Sequence, residues 1–287
     1  MNWTPVHGLM TRSHGNPKPT MKMRVTAYTG GLNLRSAPTK EAANIIGQLF
    51  LLQTVDTTGP AENGFFPCKA TVGTAKVRGF ASAKYLRPLL TPRREALLDR
   101  VRAEYERFQR GLGNEHLAPF AGFVGEMWRA IGLNLDGTDR DQPWSAAAVS
   151  FMVRKAGAAY GNFRFAAAHS KFTHAAIGAR RRDDRAAPFW GVELFETRPQ
   201  PGDIVVRDNP DFAPSVDFGL AAQSDSYRSH SDIIVHIDSE GQKAIAIGGN
   251  VNHSVAISEY DLAPGDFLAP TRHTFALLAN RADEVDL

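Results

Sequence analysis

The chain has 287 residues, 43% hydrophobic and 22% charged, with a formal net charge of +3. That is enough for two packed domains of ordinary globular composition, and no run reaches the roughly 18 apolar residues that cross a bilayer, so no membrane partner is expected. The single cysteine, Cys68, excludes an internal disulfide, and the basic run Arg180-Arg181-Arg182, followed at once by Asp183-Asp184, predicts a solvated loop rather than a nucleic-acid surface.

Residues 1–22 carry Pro5, Gly8, Gly15, Pro17 and Pro19 with little periodicity, which predicts an irregular lead. The lead lacks the apolar run of a secretory signal. The chain is therefore expected to be cytoplasmic at synthesis, with action in the periplasm or cell wall following export or lysis.

Residues 23–88 read as short strands: Met23–Tyr28, Leu32–Arg35, Ile45–Val55 and Phe65–Val72, with Thr57-Thr58-Gly59-Pro60 as a loop. Several short strands in this span predict a small barrel. Cys68, beside Phe65, Phe66 and Pro67, reads as a small apolar core residue.

Thr91-Pro92 starts a helix, with Thr91 as its cap and Leu97, Val101, Tyr105 and Phe108 on one face; Gly111 and Gly113 stop it. Phe120–Ile131, Pro143–Ala156 and a stretch around His169–Ile177 predict further helices. From Pro199 the pattern changes to strands: Ile204–Val206, His230–Asp238, Lys243–Ile247, Val251–Tyr260 and His273–Ala279, with Asn252 and His253 in a turn. Helices followed by antiparallel strands give an α+β fold class.

Three segments carry candidate chemistry. Ser145 stands at the start of a helix, where unpaired N–H groups favour an anion and can receive an oxyanion. His230 opens a strand whose alternation can aim its ring at that helix end. Asn250 follows Gly248-Gly249, read as a tight turn, and its carboxamide can hold an imidazole in one tautomer. Ser145 as a plain helix N-cap is the competing reading. His230 and Asp232 also invite a metal reading, but His236 lies about 20 Å from His230 along an extended strand, so acyl transfer is favoured; no cofactor and no metal are expected. Asp232 is read as orienting His230 or shaping a cleft, and Trp144 as a cleft wall or a core residue.

Leu32-Asn33-Leu34-Arg35-Ser36-Ala37-Pro38, with Gly79-Phe80 and Lys84-Tyr85-Leu86, resembles the bacterial SH3-like domain, in which such barrels often bind cell-wall peptides; phenylalanines (Gly64-Phe65-Phe66, Gly79-Phe80) stand where many members carry Gly-Trp. The order Trp144-Ser145-Ala146-Ala147, Pro201-Gly202-Asp203, His230 and Asn250 resembles the papain-like NlpC and CHAP cell-wall peptidases and amidases, with serine in place of the catalytic cysteine. A bacterial family of unknown function within that superfamily is closer still. It shares the Trp-Ser-Ala-Ala motif, Ala168-His169-Ser170, Ser229-His230-Ser231-Asp232-Ile233-Ile234 and Ile247-Gly248-Gly249-Asn250-Val251. After the irregular lead over 1–22, the resemblance implies an SH3-like barrel over 23–88 and a papain-like domain over 89–287.

It also implies a peptidoglycan hydrolase that cleaves an amide or related acyl bond. Ser145, His230 and Asn250 would be catalytic, and Trp144, His169 and Asp232 would bind substrate. The implied partners are peptidoglycan or its peptide stems, with secretion machinery or an immunity protein if the chain is an antibacterial effector. A catalytically silent glycopeptide- or protein-binding module with the same fold is the alternative.

Overall fold

A computed structural model of the chain describes residues 20–209 and 215–285. The expected irregular lead lies outside the described residues up to position 19, and Met21 and Lys22 already belong to the first strand. The chain divides into two compact units, Met1–Pro88 and Leu89–Leu287. The architecture is α+β: an N-terminal antiparallel sheet, then helices, then a curled antiparallel sheet.

The first unit contains β1 (Met21–Val25), β2 (Leu32–Arg35), β3 (Ile45–Leu49), β4 (Thr54–Thr57), β5 (Phe65–Val72), β6 (Ala75–Ser82) and β7 (Leu86–Pro88). They form one sheet in the order β3-β2-β6-β5-β4-β1-β7, antiparallel throughout. Period-two burial follows the sequence: Leu32 and Leu34 face inward while Asn33 and Arg35 stay half-exposed. The expected strand over 45–55 is two strands, because the chain turns at Leu51-Leu52, where Leu52 takes φ +62°. Leu34, Leu49, Val55, Ala70 and Ala81 form the core with Cys68, whose burial pushes its thiol up to about 11.

The second unit begins with α1 (Pro92–Arg107), α2 (Phe120–Arg129), α3 (Ser145–Lys155) and α4 (His169–Arg181), followed by β8 (Phe189–Val192), β9 (Ile204–Asp208) and α5 (Phe218–Gln223). β10 (Ser229–Asp238), β11 (Lys243–Val251), β12 (Ser254–Ala263), β13 (Phe267–Leu268) and β14 (Thr274–Asn280) complete it. The sheet order is β13-β12-β11-β10-β9-β14-β8. In α1, Leu97, Val101, Tyr105 and the following Phe108 are buried, as their spacing predicts. Thr91 occupies the N-cap position of α1, but its hydroxyl donates to Asp283; Glu95 Oε1 instead accepts from Leu90 N at 2.8 Å. Arg180 and Arg181 form the last turn of α4 rather than a loop, where cations complement the helix dipole.

The two faces of this second sheet are the key to the site. One face meets the helices. Gly249 lies so close to α3 that a Cβ there would overlap Ala148 and the Trp144 ring. The other face holds its own cluster, in which Ile234, Val205, Ala246, Tyr260 and Leu277 are all 1% exposed or less. Gly248 points its hydrogen to this second face, where a Cβ would overlap Asp232 Oδ1. Both glycines are therefore set by close approach and not by a tight turn; positive φ begins after them, at Asn250 (+57°), Asn252 (+51°) and His253 (+62°). A register shift in β10 between Ile234 and His236 puts the residues after it out of phase with His230 and Asp232.

The expected Pro201-Gly202-Asp203 turn precedes β9. Asp203, 1% exposed, accepts from Arg94 Nη1 at 2.9 Å, from Gln200 N at 2.8 Å and from Asn280 N at 2.9 Å. Burial pushes its carboxyl upward, and Arg94 with the two amides opposes that. One buried carboxylate thus ties α1, the turn and β14 together.

Candidate active site

Helix α3 is buried along nearly its whole length, from Ser145 to Val153. Its small first turn, Ser145-Ala146-Ala147-Ala148, lets the helix press onto the glycine-lined part of β11. Trp144 is the N-cap residue, and Ser145 is the first helical residue. The Ser145 hydroxyl does not cap the helix. Its Oγ lies 2.7 Å from His169 Nε2. His169 opens α4, is 5% exposed, and packs edge-on against Phe172. Its other nitrogen, Nδ1, lies 2.6 Å from the hydroxyl of Ser231 on β10, which is fully buried. Ser145, His169 and Ser231 form one continuous hydrogen-bonded row.

Sequence reasoning aimed His230 at Ser145. The structure instead pairs Ser145 with His169, and strand alternation explains the difference. Ser231, Ile233, Ile247 and Gly249 share the parity of the helix-facing side, whereas His230, Asp232, Ile234 and Gly248 share the other. His230 Nε2 consequently meets Asp232 Oδ1 at 2.8 Å, two residues along the same side of β10. Asp232 is fully buried, and its Oδ2 accepts from Tyr260 Oη on β12 at 2.6 Å. Asp232 therefore orients His230 from within the protein and is sealed from a substrate. The His230 side chain is 13% exposed, its ring centroid lies 5.2 Å from that of His169, and it reaches the cleft from the start of β10, the central strand of the sheet.

The electrostatics separate these groups. Burial, reinforced by the neighbouring His230, pushes the His169 imidazole well below its ordinary value, so the ring is neutral at pH 7. Burial pushes the Asp232 carboxyl upward. The adjacent His230 imidazole and the hydrogen bonds from His230, Tyr260 and Ser258 outweigh it together and hold the carboxyl well below the usual carboxylate range. Next to that carboxylate, the buried Tyr260 hydroxyl is raised well above its ordinary value and stays protonated.

A cleft of about 640 Å³ opens over this row, lined by Ser145, His169, Arg207, His230 and Asn250 among others. Arg207 Nε is buried there without a hydrogen-bond partner. Asn250 thus shares the cleft with both imidazoles, but among the described residues its carboxamide hydrogen-bonds neither: Ser231 contacts His169, and Asp232 contacts His230. Trp144, 2% exposed, is not a cleft wall. It stacks on Phe108 with ring centroids 5.6 Å apart, and its Nε1 donates to Glu115 Oε2. Trp144 anchors the start of α3 from behind.

Sequence reasoning missed Ser231 and Tyr260. Ser231 sits inside the His230 motif, and its parity opposite His230 was the available signal. Tyr260 lies far along the chain and carried none. Among the described residues, no helix is long and apolar enough to cross a membrane.

No curated protein matches the chain. Among solved structures, NlpC2 from Trichomonas vaginalis is similar at 10% identity and a TM-score of 0.32, over 91% of this chain and 74% of that one. NlpC1 from the same organism is similar at 9% identity and a TM-score of 0.30, over 96% of this chain and 98% of that one. A family model described as "Uncharacterized protein conserved in bacteria (DUF2272)" matches residues 118–279, the stretch that carries α3, the cleft and the sheet. That stretch is more than half of the chain, and the protein belongs to this bacterial family.

Proposed function

We propose that the protein is a peptidoglycan hydrolase of the NlpC and CHAP type, cleaving an amide or related acyl bond with Ser145 as nucleophile and His169 as its base. The observation that carries this reading is the 2.7 Å contact between Ser145 Oγ and His169 Nε2 at the start of α3, open to a cleft. In the reactive tautomer His169 Nδ1–H donates to Ser231, and Nε2 accepts the Ser145 proton. The Ser145 oxygen attacks the carbonyl carbon. The oxyanion that forms is received by N–H groups of the first turn of α3. The C–N bond then breaks, and His169 returns the proton to the leaving nitrogen. Water repeats the sequence on the acyl-enzyme, releasing a carboxylic acid and restoring Ser145. His230 has Nε2–H committed to Asp232, which leaves Nδ1 to meet the substrate.

The substrate class rests on the cell-wall peptidase motifs around Ser145, His230 and Asn250, and on cleft chemistry. The guanidinium of Arg207, which lines the cleft, suits the carboxylates of stem peptides. Under the same reading the N-terminal unit is an SH3-like wall-binding barrel. Delivery is by lysis or by a specialised secretion system, and an immunity protein is the partner expected of an antibacterial effector.

A second reading, a binding module that keeps the cleft without turnover, is favoured by one observation. His169 is so strongly biased toward its neutral form that it is a weak acceptor for a serine proton. Incubation of the protein with peptidoglycan sacculi decides between them. Turnover predicts new amine and carboxyl ends with the unaltered chain, and none with Ser145→Ala or His169→Ala. Equal profiles from all three, with retention on sacculi, would leave only the binding module.

A further inference from the structure

Behind the cleft, three ligand-type side chains converge. One ligand atom from each of Glu115, His116 and His253 lies within 4.8 Å of the others. Glu115 Oε1 is 2.9 Å from His253 Nδ1 and 3.5 Å from His116 Nε2. Four-coordinate zinc holds nitrogen and oxygen ligands at about 2.0–2.2 Å, which sets neighbouring ligands roughly 3.3–3.5 Å apart. One observed edge lies at that spacing and the other is shorter by a few tenths of an ångström.

The surroundings prepare each ligand atom. His116 Nδ1 lies 2.7 Å from the Gly137 carbonyl oxygen. A carbonyl only accepts, so Nδ1 carries the proton and Nε2 presents its lone pair to the cluster. Glu115 Oε2 is occupied by the Trp144 indole N–H, which leaves Oε1 for an ion. The Glu115 amide donates to the His253 carbonyl oxygen at 2.8 Å, fixing the two segments together. The Glu115 side chain is 8% exposed and that of His253 62%, so a buried carboxylate is paired with an open route from solvent.

We infer that Glu115 Oε1, His116 Nε2 and His253 Nδ1 bind a divalent first-row transition ion, of which zinc best suits two imidazoles, one carboxylate and a water. On binding, His253 moves its proton from Nδ1 to Nε2, and the ion replaces the hydrogen bond to Glu115. Nothing else is consumed or released. The ion ties the Glu115 segment, the β11–β12 turn and, through Trp144, the residue before Ser145 into one block.

The test uses the full chain stripped by a chelator and dialysed. Calorimetric titration with zinc chloride should show one ion per chain, thermal unfolding should move to higher temperature with zinc, and cobalt should give the visible bands of a four- or five-coordinate site. His116→Ala and His253→Ala should each weaken zinc binding at least about 100-fold, since even second-shell changes cost 10–100-fold. His273→Ala, an exposed histidine elsewhere, should leave binding unchanged. His253, with its exposed ring, is the variant least able to disturb folding. No zinc binding at millimolar ion, or equal affinity in the unaltered chain and His253→Ala, would overturn the inference.

Discussion

Replacing Tyr260 by Phe removes a single oxygen from a side chain that is 1% exposed and leaves its volume in place. That oxygen donates to Asp232 Oδ2 at 2.6 Å, and Asp232 is fully buried beneath the cleft. A hydrogen bond to a charged group contributes about 1.5–3 kcal/mol, and no bulk water reaches the site to replace it, so unfolding free energy at pH 7 should fall by about 2–3 kcal/mol. The same donation helps hold the Asp232 carboxyl below its unfolded value of about 3.9 against the upward push of burial. A depressed folded value means that ionised Asp232 stabilises the fold above about pH 3.9 and that this contribution is lost as pH falls through the folded value. The variant's carboxyl sits higher, so it retains less of that stability at neutral pH, and the gap between the two proteins narrows in acid. Urea unfolding followed by circular dichroism at pH 7 and pH 3 measures both effects. A gap under about 0.5 kcal/mol at pH 7, or one that widens in acid, would refute the buried carboxylate as the anchor of His230.

Acid should also act through His169. Its folded value lies below the unfolded value of about 6.5, so stability falls as pH drops below 6.5, by at most about 1.4 kcal/mol per pH unit. His169→Gln should flatten that slope between pH 6.5 and 5, and an unchanged slope would show that other groups carry it. Gly249→Ala places a methyl against Ala148 and Trp144; it should cost about 1–3 kcal/mol and shift the amide resonances of the first turn of α3, and a change within 0.5 kcal/mol would contradict the close packing. Arg94→Ala leaves the Asp203 carboxylate buried with two amide donors but no cation, so a loss near the low end of about 3–5 kcal/mol is expected in chemical denaturation.

The elements of this protein were largely legible in its sequence. Helix α3 begins within two residues of the predicted start because Pro143 and the alanine-rich stretch after it mark a helix entry, and β10, β11 and β14 fall where β-branched runs place them. The short β8, α5 and β13 were not read, since four, six and two residues carry too little periodicity to stand out. The bulge in β10 was equally silent, because an extra residue in a strand leaves the apolar run Ile233-Ile234-Val235 looking continuous.

By itself the sequence determined the α+β class, the helix that carries Ser145 and the strand that carries His230, since propensity and periodicity are properties of neighbouring residues. Tertiary structure alone decided which imidazole meets the hydroxyl. Strand pleating turns Ser231 toward the helices and His230 away from them, the bare backbone at Gly248-Gly249 lets β11 close on Trp144 and Asp232, and α4 brings His169 from 24 residues away to Ser145. Hydrogen bonds between groups far apart in the chain depend on the register and face of packed elements, and a one-residue change of parity is enough to exchange one histidine for another.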